Sequence, residues 1–192
     1  MASPVGHLLA GQVSYRLAGE AGGARDARLG WLCAFPSIAA DLDFLPGLVL
    51  GTPARYHQGA SHSLLAAAAL SLVLAASYGA RNGRFWVAWL ALLLAYLSHL
   101  GLDLLGPDRR PPFGLPLLWP FNEKPYLSPI TIFSGVRHAG RTGVPTAEWL
   151  SNTLSISNLV GVLREALILG PILLWLEFRA RRSESGVRRF GG

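Results

Sequence analysis

Cysteine is nearly missing: Cys33 is the only one in 192 residues. That excludes an intrachain disulfide and a cysteine-built zinc site, and it leaves the redox compartment unreported. Charge is scarce too. Charged residues make up 15% of the chain, against roughly a quarter in ordinary soluble domains. Lys124 is the lone lysine, and the other sixteen basic residues are arginine. No P-loop, Gly-x-Ser-x-Gly elbow or dinucleotide-binding glycine pattern occurs, so the common nucleotide-dependent and serine-hydrolase readings fall away. The N-terminus lacks the basic stretch of a cleaved signal peptide. No internal repeat is visible.

What is plentiful is apolar. Hydrophobic residues make up 51% of the chain, and the mean hydropathy is +0.36. The length suits one domain, residues 1–192. Ala, Leu and Gly dominate, which predicts a closely packed helical protein. The formal charge is +6 and the pI about 10.2. The arginines sit in short clusters beside apolar runs, the pattern of a positive-inside membrane protein rather than of a nucleic-acid-binding face. No nucleic-acid partner is expected.

The expected fold is all-α, an integral membrane helical bundle. Residues 4–18 read as a short helix, followed by a charged, Gly-rich turn over 19–28. Residues 29–40 are apolar but short, and Asp41, Asp43 and Pro46 break the run beyond them. Ser61 or Ser63 is placed to cap a helix from Leu64 to Tyr78. Phe85 to Leu105 is the strongest span, with Asp103 its one charge and a length close to the ~20 residues a bilayer requires. Residues 106–158 are rich in proline and aromatics (Phe113, Trp119, Phe121, Tyr126, Phe133, Trp149) and read as an irregular cap at the membrane surface. A last span is expected over 159–178, and a disordered basic tail over 179–192. About three spanning helices result, with shorter helices before them.

Topology brings the polar residues together. If Arg81, Arg84 and the arginines from Arg179 onward face the cytoplasm, and the turn carrying Arg16, Arg25 and Arg28 does too, ten of the seventeen basic residues lie inside. His57, His62, His99, Asp103, the Asp41/Asp43 pair and His7 then share the outer face. His99 and Asp103 are four apart on one helix, so both reach the same ion, although a His–Asp pair tying helices together is an equal reading. His57, His62, Asp41, Asp43 and His7 are each weak signals alone. Together they make seven nitrogen and oxygen ligands, more than one zinc takes and enough for two ions sharing a carboxylate. The divalent metal expected is zinc first, with manganese or iron as alternatives. Cys33 reads as structural. Arg109, Arg110, Arg137, His138 and Arg141 offer a phosphate site, but contact with headgroups or water is the plainer reading.

Residues 37–46 (SIAADLDFLP), 57–65 (HQGASHSLL) and 98–105 (SHLGLDLL) resemble the YdjM-type family of bacterial inner-membrane proteins read as metal-dependent hydrolases. Residues 106–121 (GPDRRPPFGLPLLWPF) resemble one branch of it, as do 164–171 (REALILGP). The likeness runs in order over roughly residues 4–176. It implies a helical membrane protein with hydrolase activity and a site of His7, Asp41, Asp43, His57, His62, His99 and Asp103. Gln58 and Gly106 depart from it, standing where arginine and threonine are common. A looser likeness, by analogy only, is to zinc-dependent phospholipase C.

The expected activity is metal-assisted hydrolysis of an ester or phosphoester, with Asp41, Asp43 and Glu123 as candidate catalytic residues. The expected surroundings are membrane lipids, a lipid-like substrate and a multi-pass position in a bacterial-type inner membrane, with the site on the extracytoplasmic side. The alternatives are a non-catalytic metal-binding protein and a structural polar network. A transport pathway is disfavoured because the 64–78 helix carries only Ser71 and Ser77 as polar groups before Tyr78. The abundance of aspartate argues against a bis-histidine haem site.

Overall fold

The computed structural model describes residues 1–22, 26–108, 113–137 and 144–190. Among them, regular structure is helical. Helix α1 spans Pro4–Gly22, α2 Ala27–Ala34 and α3 Pro36–Ala39. A 3-10 turn, Ala40–Asp43, leads into α4, Phe44–Val49. Two further 3-10 turns, Pro53–Arg55 and Ala60–His62, precede α5, Leu64–Asn82, and α6, Phe85–Leu104. The cap comes next, then α7, Thr146–Thr153, and α8, Ile156–Phe190. Arg109, Arg110, His138 and Arg141, considered above for a phosphate, lie outside the described residues, as does Arg25.

Among the described residues, three stretches are long and apolar enough to cross a membrane: Ala27–Val49, Phe85–Leu104 and Ile156–Arg182. The first was expected only as short pieces. Pro36 sits at the first turn of α3, where its missing N–H costs nothing, and the Asp41–Asp43 interruption is absorbed by a 3-10 turn, so the chain continues through. The expected 64–78 helix exists, but its apolar stretch, Leu64–Ala80, is the shorter one among the described residues. The expected disorder after residue 178 is corrected, since α8 continues to Phe190. No proline follows Pro171, and Arg, Glu and Ser sustain a helix well enough to carry it on.

Helix α6 is the centre of the bundle, with α1, α5, α3 and α2 packed on it; α8 packs on α1. Small residues make this possible. Ala67, Ser71 and Ala75 form one fully buried row on α5, and Ala88, Ala91 and Ala95 a buried row on α6. Rows of this kind let membrane helices approach closely. Cys33 is completely buried in the same core, among Tyr15, Leu29 and Leu92, as the structural reading of that thiol requires.

Among its described residues the cap is irregular, apart from α7 and a single antiparallel bridge between Leu115 and Tyr126. It is tied down by specific bonds. The Leu117 carbonyl accepts from Leu64 N (2.9 Å), and the Leu105 carbonyl from Ile132 N (2.8 Å). Asn158, buried at the start of α8, accepts from Arg137 N (2.7 Å) and donates to the Arg137, Asn152 and Thr153 carbonyls. Exposed Trp119 and Phe121 stand on its surface.

Candidate metal centre

Four segments distant in sequence meet at one end of the bundle. Helix α1 brings His7, the 3-10 turn after α3 brings Asp41 and Asp43, the 57–62 loop brings His57 and His62, and α6 brings His99 and Asp103. All seven side chains predicted for the site are therefore assembled. His7, His62 and His99 are fully buried, and Asp103 and His57 nearly so. Asp41 and Asp43 are the open side, with side chains 17% and 12% exposed. Glu123 is not part of this assembly; it is exposed in the cap, outside both groups of converging ligand atoms.

Four atoms face one point: His62 Nε2, His99 Nε2, Asp41 Oδ1 and Asp103 Oδ2. The two imidazole nitrogens are 3.4 Å apart. Asp103 Oδ2 lies 3.5 Å from His62 and 3.4 Å from His99. Asp41 Oδ1 lies 3.9 Å from His62 and 3.7 Å from His99. A regular tetrahedron with the mean of these five edges, about 3.6 Å, has its centre about 2.2 Å from each corner, close to the distance at which zinc takes nitrogen and oxygen. Asp41 Oδ1 and Asp103 Oδ2 are buried with no hydrogen-bond partner. Buried acceptors left so are costly, and a cation between them removes the cost. The donor set therefore fits a divalent ion.

The imidazoles are aimed by their far nitrogens. His99 Nδ1 bonds the Ser37 carbonyl (2.9 Å), and a carbonyl only accepts, so Nδ1 carries the proton and Nε2 keeps its lone pair. Ser37 is close enough because α1 offers Gly11 there; a Cβ on Gly11 would overlap the Ser37 side chain. His62 Nδ1 faces Asp43 Oδ2 at 3.2 Å. His57 Nδ1 donates to Asp43 Oδ1 at 2.7 Å, with Phe44 stacked on its ring at 3.9 Å and the Met1 thioether beside Nε2. Asp43 Oδ2 also accepts from Gln58 N (3.1 Å) and Ser61 Oγ (2.8 Å). Carboxylate–histidine–metal chains of this form fix the tautomer and orientation of a ligand.

Asp43, His57 and His62 form a second group of converging atoms. His7 approaches from the far side. Its ring stacks on His99 at 3.7 Å, and Nε2 lies 3.3 Å from Asp103 Oδ1 and 4.0 Å from Asp41 Oδ2. For His57, burial disfavours the charged ring and pushes its pKa down. Burial opposes the charged form of His62 as well, but the negative carboxylates of Asp103 and Asp43 beside it outweigh this and push its pKa up to about 9.

The family model described as YdjM inner membrane protein matches residues 1–182. The chain belongs to that family. The match covers every residue of the cluster. With the three apolar stretches, it makes this chain a membrane protein whose helices contact lipid. No curated protein and no solved structure matches it.

Several groups at the site escaped the sequence. The Ser37 carbonyl and the Gln58 amide are backbone atoms, which no motif marks. Ser61 was read as a possible cap; Ser63 takes that role, accepting from Ala66 N (3.1 Å), and Ser61 serves Asp43 instead. Its position immediately before His62 was the available signal. Tyr96 on α6 holds this loop by donating to the Ser61 carbonyl (2.6 Å).

Proposed function

We propose that the protein is a metal-dependent hydrolase that cleaves an ester or phosphoester carried on a lipid-like molecule. The observation that supports it is the convergence of His62 Nε2, His99 Nε2, Asp41 Oδ1 and Asp103 Oδ2 at tetrahedral spacing, two of them otherwise unbonded. A bound divalent ion supplies Lewis-acid polarisation and a lowered pKa for water. The two-nitrogen, two-oxygen set favours zinc, with manganese or iron as alternatives. One ion is proposed, because a second at Asp43 would compete with the bonds from Gln58 N and Ser61 Oγ.

The chain's residues divide the work. Asp41, on the open side, is the proposed ligand beside which a water would join the ion as a fifth partner, with the Asp41 carboxylate as its proton acceptor. Asp43 is already occupied by four partners and orients His57 and His62. His7 backs His99 and the second oxygen of Asp103. Exposed Leu45, Val49 and Leu50 on and after α4 continue apolar surface away from the opening, which suits a substrate presented by the membrane. The chain is proposed to cross a bacterial inner membrane several times, with the site outside and the Gly83 turn inside, on the strength of the arginine distribution. High activity of an alkaline phosphatase reporter fused at Gly83 would contradict this sidedness.

Burial gives the second reading its specific support. Ligands as enclosed as His62, His99 and Asp103 also suit a non-catalytic metal-binding centre. The test is turnover of lipid phosphomonoesters, phosphodiesters and carboxyl esters in mixed micelles, with Zn²⁺ or Mn²⁺ and with chelator. Hydrolysis of one class, abolished by chelator and by Asp41→Asn, is expected. Stoichiometric metal with no turnover of any class would favour the second reading.

A further inference from the structure

Glu165 is an acidic residue within the apolar stretch of α8, and only 1% of it is exposed. An ionisable group at membrane depth is expensive to keep and calls for a partner. Its partner is the start of α1. Both carboxylate oxygens accept from Ser3 N, at 3.0 and 3.1 Å, and Oε2 also accepts from the Ser3 hydroxyl. Ser3 in turn caps the helix. Its Oγ accepts from Gly6 N (3.0 Å), and its carbonyl from His7 N (2.9 Å). The neighbouring amide, Ala2 N, donates to Asp103 Oδ1 (3.0 Å), the oxygen that faces His7. Gly6 is what lets α8 come this near, since a Cβ there would overlap the Glu165 carboxylate. A carboxylate at a helix N-terminus also matches the helix dipole.

We infer that Glu165 is a positioning residue of the metal centre. It fixes the first turn of α1 and thereby sets His7 and the Ala2 amide against Asp103, so that Oδ2 remains turned toward His62 and His99. It touches neither ligand itself. This inference rests on the metal-binding reading proposed above. It goes beyond that reading in making a buried acid of the last span, 62 residues from Asp103 in sequence, a determinant of the site's shape.

A second pair joins the same helices. Arg16 of α1 bonds Glu177 of α8, three helical turns further along. A general α1–α8 tie would be weakened by losing either pair, whereas a positioning role belongs to Glu165 alone. The experiment measures Co²⁺ affinity and ligand-field absorption of detergent-purified protein. Glu165→Ala is expected to weaken Co²⁺ binding about 10–100-fold, as losses of supporting groups at metal sites do, and to alter the visible spectrum. Glu165→Gln keeps an acceptor for Ser3 and should restore most of the affinity and the spectrum. Glu177→Gln should match wild type in both. Ser3→Ala, which leaves the carboxylate in place, should cost about tenfold, and it carries the test if Glu165→Ala does not fold. Wild-type affinity in Glu165→Ala, or in Ser3→Ala in its place, overturns the inference. So does an equal loss in Glu177→Gln. Wild type that takes up neither Co²⁺ nor Zn²⁺ overturns the metal reading first, and the inference with it.

Discussion

Gly11→Ala tests how the site is held without touching a ligand. The new Cβ would meet the Ser37 side chain, including Oγ at 2.7 Å, where van der Waals contact needs about 3.5 Å. Helix α3 must therefore retreat from α1 by roughly 1 Å. The bond from His99 Nδ1 to the Ser37 carbonyl, 2.9 Å in the wild type, then stretches beyond hydrogen-bond range. Stability should change little. Alanine is better than glycine inside a helix by about 1 kcal/mol, which offsets part of an overpacking cost of about 1–3 kcal/mol. Metal affinity should change more. His99 loses the acceptor that fixes its tautomer, which is worth about 10–100-fold, or about 1.4–2.7 kcal/mol. Competition against a chromophoric chelator in detergent measures the affinity, and a thermal melt of the metal-free protein measures the stability. A variant that binds zinc as tightly as wild type would refute the claim that the α1–α3 approach aims His99.

Asp43→Asn should keep zinc binding but weaken it by about 10–100-fold, because Asp43 supports His57 and His62; complete loss by calorimetric titration would make it a ligand instead. Asp103→Asn should abolish stoichiometric zinc, and it should lower the stability of the metal-free protein by about 3–5 kcal/mol, because His7, His62, His99 and Ala2 N all lose their carboxylate; unchanged melting would contradict that. Adding zinc at about a hundred times its dissociation constant should stabilise wild type by about 2.7 kcal/mol, visible as a higher melting temperature that EDTA reverses and Asp103→Asn lacks.

Much of the candidate site was legible because its histidines and aspartates fall in short runs with strong local geometry. His99 and Asp103 share a helix face by spacing alone, and an aspartate in the apolar Phe85–Leu105 run demands a partner. What stayed hidden is the division of labour. Asp41 and Asp43 look equivalent as a pair, but the 3-10 turn over Ala40–Asp43 sends one to the ligand point and the other to the far nitrogens of two histidines. Glu165 was visible only as an acid in a span, because its partner Ser3 is 162 positions away. In the fold, the strongly apolar Phe85–Leu104 helix needed only its length. The Ala27–Val49 stretch was broken up by Pro36, Asp41, Asp43 and Pro46, whose effects cancel only once the helix starts and the 3-10 turn are in place. Nothing in the Arg179–Arg182 cluster stops a helix, so charge alone was a poor sign of where α8 ends.

The most direct test is the metal content of detergent-purified protein by mass spectrometry, comparing wild type with His62→Ala/His99→Ala. One zinc or manganese per chain in wild type, absent from the folded double variant, is the predicted result. Folded wild type that remains metal-free after incubation with Zn²⁺ and Mn²⁺ would contradict the metal centre and leave the cluster as a polar network that holds the helices together.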